Sequence, residues 1–181
     1  MLRKLKKTVG EFLLKRRVKK HSRKREVKNL LICESILVLA GEPEDMGAMF
    51  TTEFVAYLKS MGKDVTILFN PVKKKQNEKS YSADIKLIEQ DDLNLIYIPK
   101  NPEILHDIDR EFDLLIDLSL SNNFTLKYIH ALSRAKFKVG AAVNYKIKYS
   151  DLTIEIKNNP TVEYLLTQLK HYLTNINKNV A

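Results

Sequence analysis

The sequence predicts an α/β protein: a single Rossmann-like three-layer domain with a mainly parallel sheet, preceded by a basic helical arm. Three observations predict it. Short apolar runs alternate along the chain with longer stretches of helical periodicity. The first strand, helix and second strand together fit one βαβ unit. The first 28 positions are dense in basic residues and nearly free of acids. At 181 residues, 44% hydrophobic and 29% charged, the chain has the size and composition of one domain with a real core.

The arm comes first. Residues 1–28 contain Arg3, Lys4, Lys6, Lys7, Lys15, Arg16, Arg17, Lys19, Lys20, Arg23, Lys24, Arg25 and Lys28, 13 basic residues, against Glu11 and Glu26. The arm thus carries +11, and residues 29–181, with 18 basic and 20 acidic residues, carry −2. Leu2, Leu5, Val9 and Phe12 recur at spacings of three and four, with Leu13 adjoining. That is one apolar stripe on a helix, and Gly10 is a modest cost to it. From Lys15 to Lys28 only Val18 and Val27 are apolar, so charge repulsion should keep that half mobile until an anionic partner neutralises it. The arm lacks a signal-peptide apolar core and cleavage site, and it is Lys-rich with little serine. The expectation is a cytoplasmic, unprocessed protein.

The body follows. Residues 35–40 (SILVLA) form an apolar run suited to a strand buried on both faces. Gly41-Glu42-Pro43-Glu44-Asp45 breaks it. Residues 46–61 carry an apolar helical face ending in Gly62, a C-cap residue. Residues 64–69 (DVTILF) are the next strand. Residues 73–82 are polar and basic, an exposed loop, and 84–93 are ambiguous. Residues 95–99 (LIYIP) are read as the third strand. Pro102 opens a short helix to residue 110. Residues 112–118 (FDLLIDL) are a strong strand, and Asn123 caps a helix over 124–134. Residues 137–141 and 152–156 are further strands, and a final amphipathic helix spans 161–176.

The stretch FDLLIDLSLSNNFTLKYIHALSRAKFKVG, residues 112–140, together with SILVLA and the basic arm, resembles an uncharacterised family of small bacterial Rossmann-like proteins. That resemblance implies the fold and no activity. Residues 113–118 and 137–140 also resemble, more weakly, the N-terminal lobe of heptosyltransferase-type glycosyltransferases. The chain departs from that pattern. A two-lobed transferase places its site between two domains, and the residues after the arm provide one. The Gly-Asp motif expected after the first strand is replaced by Gly41-Glu42.

The chemistry-bearing motifs are few. No GxGxxG or GxxxxGK[ST] is present, and the acids and Pro43 after the first strand would repel phosphate and withhold an N–H. No cofactor is expected. Glu42, Glu44 and Asp45 lack the spacing of a calcium loop and a companion histidine, so no metal is expected. His21, His106, His130 and His171 form no HxxxH or HExxH pair, and no GxSxG occurs. The single Cys33 excludes internal disulfides and reads as packed rather than nucleophilic. Asp113 and Asp117 point to one face of their strand. Asp117, near the strand's carboxyl end, either lines a candidate ligand crevice with Ser119, Ser121 and Asn122 or takes hydrogen bonds from the neighbouring loop.

The arm is the feature that stands out. Its charge exceeds what solubility requires and suits nucleic-acid phosphates. Lys73, Lys74 and Lys75 extend the footprint. With Phe12 its single aromatic, base stacking and sequence readout, DNA sequence specificity included, are not expected. The function read from the sequence is a non-catalytic RNA-binding protein associated with a ribonucleoprotein such as the ribosome. The first alternative is a peripheral protein using the arm as a basic amphipathic helix on an anionic membrane surface. The second is a reduced sugar-transferase-like or nucleotide-binding enzyme built on the Asp117 crevice.

Overall fold

Among the described residues six strands and six helices form, most of them where the sequence pattern places apolar periodicity. The structure, a computed structural model, describes residues 2–41, 45–71 and 85–176. Lys73, Lys74 and Lys75, and the acids Glu42 and Glu44, lie outside the described residues.

The strands are β1 (Ser35–Ala40), β2 (Asp64–Phe69), β3 (Ile85–Leu87), β4 (Leu114–Asp117), β5 (Phe137–Ala141) and β6 (Leu152–Ile154). They form one sheet in the order β3-β2-β1-β4-β5-β6, and every neighbouring pair is parallel. A parallel sheet needs cover on both faces, and β1 accordingly is buried along almost its whole length. The helices are α1 (Leu2–Lys20), α2 (Asp45–Ser60), α3 (Pro102–Asp109), α4 (Phe124–Leu132), the short α5 (Lys146–Tyr149) and α6 (Val162–Asn175).

Two cores flank the sheet. On one side Phe54 and Leu58 of α2 and Leu165, Leu169 and Leu173 of α6 pack on Val38, Ile116 and Val139. On the other, Leu14 of α1, Ile104 and Ile108 of α3, and Leu126 and Ile129 of α4 pack on Leu37, Leu39 and Leu115. Strand alternation sends Leu114 and Ile116 to the first core and Leu115 to the second, so Asp117 falls on the second face, under α4.

Local chemistry sets the element ends. The Asn101 side chain accepts from the Glu103 N–H, with Pro102 in the first turn. The Asn123 side chain accepts from the Leu126 N–H, and Thr161 does the same for Tyr164. These side-chain oxygens satisfy N–H groups that have no intrahelical partner. Gly62 ends α2 at a φ of 74°, which glycine adopts without a Cβ clash.

One strand is not where the pattern put it. Residues 95–99, expected as the third strand, form a turn closed by a Leu93–Pro99 bridge. The Asn94 side chain accepts from the N–H groups of Ile96 and Ile98, and Tyr97 takes a positive φ of 63°. An Asx-type turn therefore outcompetes the strand ladder. The third strand is Ile85–Leu87, within the ambiguous stretch.

The basic arm also lies differently from the expectation of a charged, mobile segment. Its first 19 described residues are helical, as read, but α1 is laid along α4. Leu14 is fully buried. A Cβ on Gly10 would sit 2.7 Å from the Phe124 ring and 3.1 Å from the Ile96 carbonyl oxygen, so the glycine allows the close approach. Lys127 donates to both Glu11 oxygens at 2.7 Å, and Arg17 donates to the Tyr128 hydroxyl. Beyond the helix, Arg23 grips Asp151 with two bonds of 2.6 Å and donates to the Ala135 and Lys136 carbonyls. Lys28 reaches Glu26 at 2.7 Å. The Asn29 amide closes the path on the Thr174 and Ile176 carbonyls at the end of α6.

Candidate functional site

Asp117 ends β4 at the sheet's switch point, with β1 and β5 as its neighbouring strands, the edge where α/β domains place ligands. Its side chain is wholly buried. One carboxylate oxygen accepts from the Ser119 N–H at 3.0 Å and the Ser119 hydroxyl at 2.6 Å. The other accepts from the Tyr145 hydroxyl at 2.7 Å and faces His130 Nδ1 at 3.0 Å. The Lys146 ammonium stands 3.9 Å from the carboxylate and 4.3 Å over the Tyr145 ring. Gly140 makes room for it: a Cβ there would lie 2.7 Å from Lys146 Cδ and 3.1 Å from the Asp117 carbonyl oxygen.

These contacts dictate protonation. Burial pushes the Asp117 carboxyl up, but the Lys146 charge, His130 and Ser119 outweigh it and bring it down to about 2. An ionised carboxylate only accepts, so His130 Nδ1 carries the proton between them. Burial lowers the imidazole against the pull of Asp117, which keeps it neutral. His130 Nε2 is then an acceptor, and the Ser150 hydroxyl, 3.1 Å away, donates to it. Beneath the same helix, Lys138 on β5 donates to the carbonyls of His130 and Ala131 at 2.7 and 3.3 Å. It thereby satisfies acceptors of the last turn of α4 from inside the protein. Burial, reinforced by Arg23, brings Lys138 down to about 7.

The order Asp117, His130, Ser150 has the hydrogen-bond sequence of an orienter, a base and a hydroxyl nucleophile. Its surroundings give it another character. The carboxylate is shared with Tyr145, Ser119 and Lys146. Aspartate and imidazole are both fully buried, and Ser150 is the C-cap of α5, its N–H bonded to the Lys146 carbonyl. The cluster ties β4, β5, α4 and α5 together from within, as a satisfied buried network does.

Of the crevice read from the sequence, Asp117 and Ser119 are brought together, turned into the domain and sealed there. Ser121 is half-buried and Asn122 exposed. Asn123 caps α4 and donates to Asn70. Sequence reasoning missed His130, Tyr145, Lys146 and Lys138. The legible signal was Lys138, a lysine in the middle of an apolar strand. Cys33 is packed, as expected. It is buried, its thiol is pushed up by burial, and it donates to the Leu30 carbonyl. Among the described residues no group of three acids, histidines or cysteines is placed to hold a metal.

The arm's basic residues divide by role. Arg3 and Lys4 fall in the first turn of α1. Arg17 and Arg23 are engaged with the body, as described, and Lys28 pairs with Glu26 within the arm and stands 3.9 Å from Asp113. Lys24 and Arg25 are exposed, near Glu26 and Asp151 at 3.5 and 3.9 Å. Lys7, Lys15, Arg16, Lys19 and Lys20 are exposed and Lys6 half-buried, and none of them has an acidic partner among the described residues. Three apolar side chains share this outer side: Leu5, Val9 and Phe12 are 62%, 43% and 64% exposed.

An all-parallel doubly wound sheet with helices on both faces defines a Rossmann-like three-layer domain. The chain belongs to a family of unknown function (DUF6913), which matches residues 6–176 and so takes in most of α1 as well as the sheet. No curated protein matches it. Among the described residues no helix is long and apolar enough to cross a membrane.

Proposed function

We propose that this is a non-catalytic, cytoplasmic RNA-binding protein that holds the phosphates of a structured RNA, as in a ribonucleoprotein, through the outer face of α1. The observation that carries the reading is the division of labour within the arm. Arg17 and Arg23 anchor it, while Lys15, Arg16, Lys19 and Lys20 stand exposed on a docked helix without acidic partners among the described residues. A helix already held in place presents those charges with less ordering cost than a free tail.

The test is retention of bulk RNA across a salt series by the full chain and by a K15E/R16E/K19E/K20E variant. Each lost phosphate contact removes about 0.7–0.9 from the log–log salt slope, so the variant's slope should be shallower by about 3. Equal affinity and slope in both proteins would overturn the reading.

Leu5, Val9 and Phe12 favour a second reading. Exposed apolar side chains beside lysines suit the interface of an anionic membrane. Co-sedimentation with anionic vesicles separates the two. Pelleting lost in an L5S/V9S/F12S variant, with no RNA retention, selects the membrane.

A further inference from the structure

On the second face of the sheet, α1, α3 and α4 leave a cleft of about 300 Å³. We propose that this cleft binds a phosphate monoester carrying a planar or apolar group, of the kind offered by a free nucleoside monophosphate or by the 5′-phosphorylated end of an RNA strand. Its walls have two characters. Leu105, Ile108 and Leu132 are apolar, while Arg17, Lys20 and His21 are polar and basic. The volume exceeds that of a phosphate ion and falls at the small end of ligand sites.

The cationic wall is preorganised. Arg17 is held by its bond to the Tyr128 hydroxyl and by stacking over the Tyr128 ring, 5.6 Å from its centroid, so its planar donor fork is partly fixed before a ligand arrives. His21 Nε2 lies 3.3 Å from the Ser133 carbonyl oxygen. A carbonyl only accepts, so Nε2 carries the proton, and Nδ1 is left without a partner among the described residues.

The surroundings are mostly electropositive, with acids at Asp109 and at Asp151, which pairs with Arg23 at 2.6 Å. Arg17 and Lys20 come from α1, Arg23 from the segment after it, Arg134 from the end of α4, and Lys138 from β5. Asp109 at the end of α3 is the one acid lining the cleft, and it lies 3.9 Å from Arg134. Burial, then Lys138, Arg134 and Arg23, lower His21, so its imidazole is neutral at pH 7. A dianion entering the cleft offsets that field and lets Nδ1 take up a proton and donate to it. Binding is therefore coupled to proton uptake at His21. This cleft lies apart from the outer face of α1 that the RNA reading uses, although both include Lys20.

The test uses the full chain with labelled histidine. NMR follows the His21 imidazole during titration with sulfate, ribose 5-phosphate, adenosine 5′-monophosphate, and a short RNA bearing a 5′-phosphate or a 5′-hydroxyl. The expected result is a saturable His21 shift with adenosine monophosphate, tighter than with ribose 5-phosphate, and a raised His21 pKa. A response to the 5′-phosphorylated strand but not its 5′-hydroxyl twin assigns the ligand to an RNA end. A response to the mononucleotide alone assigns it to a free nucleotide. Calorimetry in buffers of different ionisation enthalpy should show proton uptake in the natural chain and none in His21→Gln. Lys20→Ala, at an exposed position, should weaken binding about tenfold, the worth of one charge-assisted hydrogen bond. No His21 response to millimolar mononucleotide or phosphorylated strand overturns the proposal.

Discussion

Lys138 shows how a single residue was half legible. A lysine inside FKVGA breaks an otherwise apolar strand, and it is 1% exposed in the sheet. Nothing in the spacing announces its partners, because the acceptors are the His130 and Ala131 carbonyls, and a main-chain acceptor leaves no residue signature. The same holds around Asp117, whose partners His130, Tyr145 and Lys146 come from different elements, 13 to 29 positions away in the chain. Lys138 has a measurable consequence. Its folded pKa of about 7 lies below the ordinary 10.5, so between these values the unfolded chain binds the proton more readily than the folded one. Stability then rises with pH through that window and carries the full penalty below it. Lys138→Met keeps the stem and removes the titration. Denaturant unfolding from pH 7.5 to 9.5 should show stability climbing more steeply in the natural chain than in the variant. Parallel curves would mean that Lys138 does not titrate in this window.

At the scale of elements, the strands built on continuous apolar runs were the most readable. SILVLA, DVTILF and FKVGA form β1, β2 and β5 with the bounds read from their apolar runs. The third strand was missed because β3 is three residues long at the sheet edge with polar Lys86 at its centre, while LIYIP looks like a strand and folds as an Asx turn. The face by which α1 docks was not legible. The stripe Leu5, Val9, Phe12 is the stronger periodic signal, yet the docked edge runs through Gly10 and Leu14. A glycine makes a contact by absence, which periodicity does not register. This gives Gly10→Leu opposite effects at two levels. In an isolated peptide of residues 2–20 it should raise helicity, since glycine disfavours helix by about 1 kcal/mol. In the whole protein the added side chain meets the Phe124 ring and the Ile96 carbonyl, and overpacking of this kind costs about 1–3 kcal/mol. Circular dichroism of the peptide and denaturant unfolding of the protein read the two signs. A stabilised protein would show that α1 is not seated on α4 as described.

At the scale of the molecule, the split between a +11 arm and a −2 body was plain in the sequence, but charge density says nothing about attachment. The anchors are scattered among the cations themselves. Arg23 looks no different from Lys24 in the sequence, yet its side chain is 7% exposed and paired with Asp151. A chain starting at Asn29 would therefore lose more than an electrostatic surface. It would uncover the outer side of α4 and strip Asp151 and Lys127 of their partners in the arm. It would also remove the Glu26 N–H bond to the Lys136 carbonyl beside β5. Apolar area exposed on this scale weakens a domain by roughly 25 cal/mol per Å², against a total stability of only about 5–15 kcal/mol. The shortened chain should unfold at clearly lower denaturant and bind the hydrophobic dye ANS, whereas the K15E/R16E/K19E/K20E chain, altered on exposed positions, should unfold close to the natural protein. If the shortened chain matched the full one in midpoint and slope, residues 1–28 would be a dispensable tail, and a loss of RNA retention on their removal could be read as electrostatics alone. With the helix seated as described, charge reversal on the outer face isolates the phosphate contacts while the fold beneath stays intact.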